Sequence, residues 1–326
     1  MADFSKEYTI KKLEANEFQL IIPLMKNCFG MDVNLEYFRW KFLDNPAGPF
    51  IGFVAEHNET GEIGAYYGVI PERYRIDGQE RTIYQSCDTM THTGHRRRGL
   101  FQLLALHCYQ YLRDQGQLFV IGFSGGQSTP GFIKFGWKHV FSFRNFFIPK
   151  QLCYLNTGFL TPADAIVAIS NVQDIAHLLE KGSAAAVQSV RDPRTVQWRY
   201  GNPRNRYEVQ AYRKNGNYEG YICYYVENNK IFLFDFHFTN SRGRSALMGF
   251  LKRKAVKEGR KAIIAFAREQ SGISAQLLRG GFLYNPFQKG PLHEKTPFIF
   301  YADDATMNRL NNEQSWYVES FDHDSL

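Results

Sequence analysis

The sequence predicts an α+β protein made of two similar units, and three features of the chain lead there. A strand-like run passes through three arginines and a glycine into a helix, between Arg81 and Leu112. An apolar run, Leu118 to Phe123, and a short segment ending in Gly136-Trp137 come next. The same order of signals then returns in the second half of the chain.

Arg81 to Thr91 contains Thr82, Ile83, Tyr84, Thr89 and Thr91, the β-branched and aromatic residues that favour a pleated strand. On a regular strand Tyr84, Ser86, Asp88, Met90 and His92 alternate to one face. Leu100, Leu103, Leu104, His107, Cys108, Tyr111 and Leu112 then recur at helical spacing, and Gly116 stops the helix. A helix that starts after Gly99 leaves its first N–H groups unpaired at the positive end of its dipole. With Arg96, Arg97 and Arg98 beside it, that terminus suits a pyrophosphate. Three arginines in isolation more often mark a solvated loop, so it is the strand and helix around them that give the turn its meaning.

The second half repeats the first in order. Arg39-Trp40-Lys41-Phe42 before Asn45-Pro46 returns as Gln197-Trp198-Arg199-Tyr200 before Asn202-Pro203. The run Gly64 to Val69, after the turn Asn58 to Gly61, matches Gly220 to Val226 after Asn215-Gly216-Asn217. Asp114-Gln115-Gly116 matches Lys257-Glu258-Gly259, and Gly136-Trp137 matches Gly281-Phe282. Offsets stay between 143 and 158 residues, as a duplicated unit with small insertions requires. The join is expected between Pro149 and Val190, with domains at 1–155 and 156–326. At the position of the arginine turn the second copy reads Thr239-Asn240-Ser241-Arg242-Gly243-Arg244, in which no phosphate turn is recognisable.

At 326 residues, two domains are the leading expectation from length alone. With 44% hydrophobic and 16% aromatic residues the chain can bury real cores. Its net charge of +7 is spread over short clusters rather than a polybasic tail, so no nucleic-acid partner is expected. No apolar run is long enough to span a membrane, and the first residues lack a signal-peptide pattern. Five cysteines, with no C-x-x-C pair, indicate neither a disulfide framework nor a metal site, and a cytoplasmic location fits them. Cys87 near His92 allows a cysteine nucleophile in principle, and small buried thiols are the commoner case.

Arg96-Arg97-Arg98-Gly99-Leu100 resembles the acyl-CoA signature of the GNAT (Gcn5-related) N-acyltransferases, in which arginine or glutamine precedes two variable residues, a glycine, a variable residue, then glycine or alanine. Phe101 departs from the last position and would narrow the approach to one amide. The resemblance implies two tandem GNAT-like folds with mixed, splayed β-sheets, and acyl-CoA as co-substrate with no tightly bound cofactor. It puts the pantetheine and pyrophosphate along Thr89, Thr91, Arg96, Arg97, Arg98, Gly99, Leu100 and Phe101. A backbone amide near Met90 is implied as the carbonyl polariser. Asp88 and His92 are the candidate bases, with a structural Asp88 and a turn-supporting His92 as the alternatives. The family's tyrosine acid falls on Phe132 here; Ser124 is the candidate donor to the thioester, and a thiol is a fair leaving group without one.

Two fused units, the Asn-Pro pairs and Trp316-Tyr317-Val318 also resemble sugar N-acyltransferases of bacterial polysaccharide synthesis. That resemblance implies a nucleotide-linked amino sugar as partner, of the dTDP-3-amino-3,6-dideoxyhexose type, and 3-hydroxybutanoyl as the acyl group. Asp235 and His237, on one face of the second copy's counterpart strand, are the candidate acceptor contacts, or else structural residues. A homodimer is allowed for. Other small amines, a peptidyl acceptor and a non-catalytic acyl-CoA binder are the alternatives.

Overall fold

A computed structural model describes residues 6–30, 32, 35–126, 128–155 and 165–324. Gly158 and Pro162, expected in the join, and Gln127, in the loop after Phe123, lie outside the described residues. In chain order the first half contains β1 (Tyr8–Leu13), α1 (Ile22–Phe29), α2 (Leu35–Phe38), β2 (Ile51–His57), β3 (Ile63–Ile76) and β4 (Gln79–Thr91). It continues with α3 (Leu100–Asp114), β5 (Phe119–Phe123), α4 (Thr129–Lys134) and β6 (Lys138–Pro149). Then come α5 (Lys150–Tyr154), β7 (Ile166–Ala168), α6 (Ala176–Leu179), β8 (Val187–Ser189), α7 (Pro193–Tyr200), β9 (Glu208–Lys214), β10 (Asn217–Glu227) and β11 (Lys230–Phe238). The chain closes with α8 (Ser241–Lys257), β12 (Ala262–Arg268), α9 (Gly272–Arg279), β13 (Leu283–Tyr284), β14 (Lys295–Ala302), α10 (Asp304–Leu310) and β15 (Trp316–Tyr317).

Two compact units emerge. Unit 1 comprises Met1–Val140 with Phe298–Ser315, and unit 2 comprises Phe141–Pro297 with Trp316–Leu326. These are not the sequence halves 1–155 and 156–326. β14 comes from the second half but pairs antiparallel with β5, from Phe298 opposite Phe123 to Ala302 opposite Phe119. Conversely, Phe143 to Pro149 of β6 pairs with β12. A sequence repeat marks where each copy's signals lie, and nothing in it says which copy a terminal strand will join.

Within unit 1 the strands run β1-β2-β3-β4 antiparallel, after which β5 joins β4 in parallel. Apolar residues cover both faces. Leu100, Leu104, Cys108, Tyr109 and Leu112 of α3 pack on Phe53, Tyr67 and Val69, while Leu24 and Met25 of α1 join Phe38, Phe42, Tyr66 and Met90 on the other side. The helix expected after Gly99 therefore forms, although Leu103 is exposed and Ala105 and Tyr109 are buried in the face instead. Asp77 and Gly78, both at positive φ, make a turn that matches the right-handed strand twist between β3 and β4.

Unit 2 repeats the plan, with β9-β10-β11 antiparallel, β12 parallel to β11, and α8 on one face. Asn215-Gly216 and Asn228-Asn229 are its positive-φ hairpin turns. The Asn-Pro pairs are structural in both units. Asn45 accepts from the Ala47 N–H at 2.9 Å and donates to the Pro71 carbonyl at 3.0 Å, and Asn202 accepts from the Arg204 N–H at 3.0 Å.

Candidate acyl-CoA site

The site starts from a break in the sheet of unit 1. β4 and β5 pair only at Tyr84 with Val120 and at Gln85 with Ile121. Beyond Gln85 the two parallel strands diverge, and Ser86, Asp88, Thr89 and Thr91 are each partly exposed. A bulge deepens the break: Gly68 faces Cys87 and Tyr66 faces Met90, so Asp88 and Thr89 together oppose Tyr67. Asp88 sits at φ 49°, a left-handed conformation that a non-glycine residue adopts only where its surroundings hold it there.

This bulge overturns the expected alternation. Tyr84 packs in the cluster under α3, whereas Met90 packs with Cys87 in the cluster under α1, so these residues do not share one face. The extra residue flips the parity of everything after it. Backbone direction changes as well. The His92 N–H donates to the Gly64 carbonyl at 2.9 Å, and by ladder alternation the Met90 N–H faces β3 with it. The Thr91 amide, not that of Met90, therefore faces the diverging side.

At the end of β4 the chain is held from three directions. Asn27 of α1 accepts from the Thr93 N–H at 3.0 Å. His92 Nδ1 accepts from the Gly94 N–H at 3.2 Å, which puts the ring proton on Nε2, facing Glu62 Oε1 at 3.5 Å. His95 lies beneath, with Nδ1 against the Tyr8 hydroxyl at 2.6 Å and Nε2 against Glu62 Oε2 at 2.8 Å. The His95 hydrogen bond holds the Glu62 carboxyl below its ordinary range. Glu62, His92 and His95 thus converge closely enough to suggest a cation site. An imidazole whose Nδ1 accepts a backbone N–H has no Nε2 lone pair to give, so the trio is a hydrogen-bonded brace. By the same reasoning His92 supports the turn and has no basic nitrogen free for an amine.

Arg97 at φ 66° and Gly99 at φ 75° fold the turn into α3. The Leu103 N–H is the first to close on the Gly99 carbonyl, at 3.0 Å, which leaves the amides of Leu100, Phe101 and Gln102 without helical partners. Arg98 is tied to Glu7 at 2.6 Å, while Arg96 reaches back to the Thr91 carbonyl at 3.5 Å. Arg97 is exposed, and its side chain makes no hydrogen bond or ion pair among the described residues. Phe101 does not obstruct the approach as expected. Its ring turns onto α4, 5.1 Å from Phe132 and 5.4 Å from Phe135.

Asp88 forms a 2.6 Å ion pair with Lys41, whose side chain is fully buried. The other carboxylate oxygen, Oδ1, makes no hydrogen bond among the described residues. Sequence reasoning missed Lys41, although the repeat that aligns it with the buried Arg199 was a signal. Ser124 is 4% exposed and lies 2.8 Å from the Thr129 hydroxyl, which itself donates to the Gly125 carbonyl. The Ser124 proton is thereby directed to Thr129, at the start of α4. Phe132, at the position of the family's acid, is buried 4.8 Å from Trp137, and Cys87 is buried in the core.

In unit 2 the corresponding carboxylate is Asp235, beside a bulge between β10 and β11. It is 2% exposed. Its oxygens accept from Lys181 at 2.9 Å, from Arg191, and from the Tyr200 and Tyr221 hydroxyls at 2.7 and 2.9 Å. Although burial opposes ionisation, Arg191 and Lys181 hold its carboxyl well below the ordinary range. Asp235 is thus a structural anchor rather than an acceptor contact. His237, half-buried, has its pKa lowered by burial and then by Lys181. β11 and β12 also part after Leu233, but here the gap is filled. Ser320 donates to the Phe234 carbonyl, Phe321 packs on Phe234 and Tyr200, and His323 lies against Phe266.

Residues 9–140 match the family described as acetyltransferase (GNAT) domain. The chain contains a GNAT acetyltransferase domain. That domain makes the protein an acyl-CoA-dependent N-acyltransferase, with acyl-CoA as its co-substrate. No curated protein matches the sequence. Among solved structures, the chain is similar to a probable N-acyltransferase from Enterococcus faecalis V583, at TM-score 0.69 and 12% identity, over 90% of this chain and 72% of that one. It is similar to a tandem GNAT protein from the clavulanic acid biosynthesis pathway, at TM-score 0.62 and 12% identity, over 91% and 98%. It also resembles Saccharomyces cerevisiae N-myristoyltransferase with bound myristoyl-CoA, at TM-score 0.60 and 10% identity, over 91% and 79%. At such identities the likeness concerns the fold, a GNAT fold with mixed sheet and helices. Among the described residues no helix is long and apolar enough to cross a membrane.

Proposed function

We propose that unit 1 binds acyl-CoA with its pyrophosphate on the Leu100, Phe101 and Gln102 amides and on Arg96 and Arg97, and its pantetheine arm along Ser86–Thr91. The observation that carries this reading is the parting of β4 from β5 after Gln85, directly before the braced arginine turn. Backbone amides freed by the parting would hydrogen-bond the arm, and the Thr91 N–H is the one aimed at the thioester carbonyl.

The acyl group then passes by direct attack of a primary amine. Nitrogen bonds to the carbonyl carbon, the carbon–sulfur bond breaks, and coenzyme A leaves as thiolate. Asp88 orients the incoming neutral amine through Oδ1, with Lys41 holding Oδ2, and the one proton the nitrogen sheds on forming the amide passes to Asp88 or to an adjacent water. Asp88→Asn keeps a hydrogen bond to Lys41 but removes the charge. Turnover should fall about 100-fold with acyl-CoA affinity nearly unchanged; near-normal kcat would remove Asp88 from the reaction.

For the acceptor we favour a nucleotide-linked amino sugar of the dTDP-3-amino-3,6-dideoxyhexose type, and a short acyl group such as 3-hydroxybutanoyl, in cell-surface polysaccharide synthesis. Support comes from the resemblance of the two fused units to enzymes of that class. A cytoplasmic location suits five cysteines that form no disulfide among the described residues. Coenzyme A thiol release should be followed with acetyl-CoA and 3-hydroxybutanoyl-CoA against a panel of nucleotide-linked amino sugars, small amines and peptides. Release with the sugars alone is expected, and release only with other amines would overturn this acceptor.

A further inference from the structure

We propose that unit 2 carries a phosphate-binding pocket of its own, formed on the flank of α8 and the end of α9 by Arg244, Lys252, Arg253 and Arg279. The cavity there holds about 210 Å³, and no carboxylate lines it. None of the four cationic side chains has a hydrogen bond or ion pair among the described residues. Neighbouring charge is treated differently. Lys254, on the same helix, is paired with Glu258 at 2.8 Å and lies 3.5 Å from Glu208.

Lys252 is the decisive member. It is only 5% exposed, and an ammonium withdrawn from water without a counter-ion is costly. Burial lowers its pKa from the ordinary value, with the Cys153 thiol acting weakly in the opposite direction. An anion in the cavity would supply the missing charge. Two glycines leave room for the cationic side chains themselves. In the middle of α8, Gly249 costs about 1 kcal/mol relative to alanine, and a Cβ there would come within 3.2 Å of the Arg253 guanidinium. A Cβ on Gly281, at φ +93°, would sit 2.9 Å from Lys252 Nζ.

The chemistry selects phosphate. Guanidinium groups match tetrahedral oxyanions with paired N–H donors, and Met248 is the one apolar side chain in the lining, so the ligand is recognised by its charge. This pocket differs in kind from the arginine turn of unit 1. The N-terminus of α8 is already capped by Asn240 on the Gly243 N–H at 2.9 Å, and the four cations lie along and beyond the helix. The inference does not depend on which acceptor the enzyme uses. Its phosphate could be that of a nucleotide-linked acceptor, of coenzyme A, or free in solution.

Calorimetric titration of the full chain with inorganic pyrophosphate at low salt tests this. Two sites are expected: Gly99→Val weakens one, and Arg253→Ala with Arg279→Ala weakens the other at least tenfold. Both arginines reach the surface, so unchanged melting is expected. Lys252→Met provides a second variant; it should weaken the same site, whereas a purely structural lysine would alter melting alone. A single site, or a second one indifferent to all three residues, overturns the proposal. Displacement of pyrophosphate from this site by dTDP but not coenzyme A assigns it to the acceptor, and the reverse assigns it to the coenzyme. Displacement by neither assigns it to free phosphate.

Discussion

Two divergent strand pairs, one in each unit, begin from the same plan and end differently. In unit 1, β4 leaves β5 after Gln85, and the residues along the gap remain partly exposed. In unit 2, β11 leaves β12 after Leu233, and the gap is occupied by Ser320, Phe321 and His323. The carboxylate beside each bulge follows its surroundings. Among the described residues Asp88 meets one cation and has an oxygen without a hydrogen bond, whereas Asp235 is enclosed by two cations and two tyrosine hydroxyls. A duplicated fold can thus keep its geometry in both copies while only one retains an opening. In the other, the backbone groups that would meet a ligand are satisfied by the protein itself.

The comparison is broken most severely at Asp235. Asp235→Asn leaves Lys181 and Arg191 with Glu319 as their remaining carboxylate and should destabilise unit 2 by about 3–5 kcal/mol, read by denaturant unfolding. Acyl-CoA affinity should not change. Loss of acyl-CoA binding in a folded Asp235→Asn protein would instead place a ligand in unit 2.

Next is the pH response of the same unit. Asp322, 2% exposed, has its carboxyl pushed up to about 6, chiefly by burial, against a reference of 3.8. Between these values the folded state holds a proton that the unfolded chain has released. Stability therefore falls as pH rises from about 4 to 6, by up to about 3 kcal/mol for this group. Asp235 has the opposite sign, its contribution being present above the ordinary carboxyl range and lost on acidification below it. Unfolding curves of Asp322→Asn should lose the fall between pH 4 and 6; an unchanged curve would show that Asp322 ionises normally.

A smaller effect belongs to unit 1. Gly99→Val places a β-branched residue at φ 75°, where no atom lies within 4 Å of the new Cβ, so the penalty is conformational rather than steric. Acyl-CoA affinity should fall about 30-fold, close to 2 kcal/mol, with unit 2 unaffected. Smallest is the brace. Tyr8→Phe removes the hydroxyl from His95 and should cost about 1 kcal/mol of stability, with a several-fold rise in KM for acyl-CoA. Unchanged KM would mean that the turn is held without it.

Much of unit 1 was legible in the sequence because its signals are local. Arg96 to Leu100 states a turn, Gly99 has the positive φ that such a turn needs, and the apolar spacing after it states a helix. The repeat announced two copies, down to the hairpin at Asn215-Gly216. What failed was the account of which side chains face where. A bulge adds one residue and inverts every later side chain, and the alternation from Tyr84 to His92 contains no sign of it. Lys41 and Asp88 are 47 residues apart, and the sequence did not indicate that they meet.

The sequence by itself determined the duplicated α+β plan, the arginine turn and the start of α3, because dihedral preference and amphipathic period act over a few residues. Tertiary structure alone decided that β14 completes the sheet of unit 1, that His92 braces rather than accepts a proton, and that residues after Glu319 fill the gap in unit 2. Each of these depends on contacts between distant segments, where burial and the need to satisfy buried polar groups select the partner.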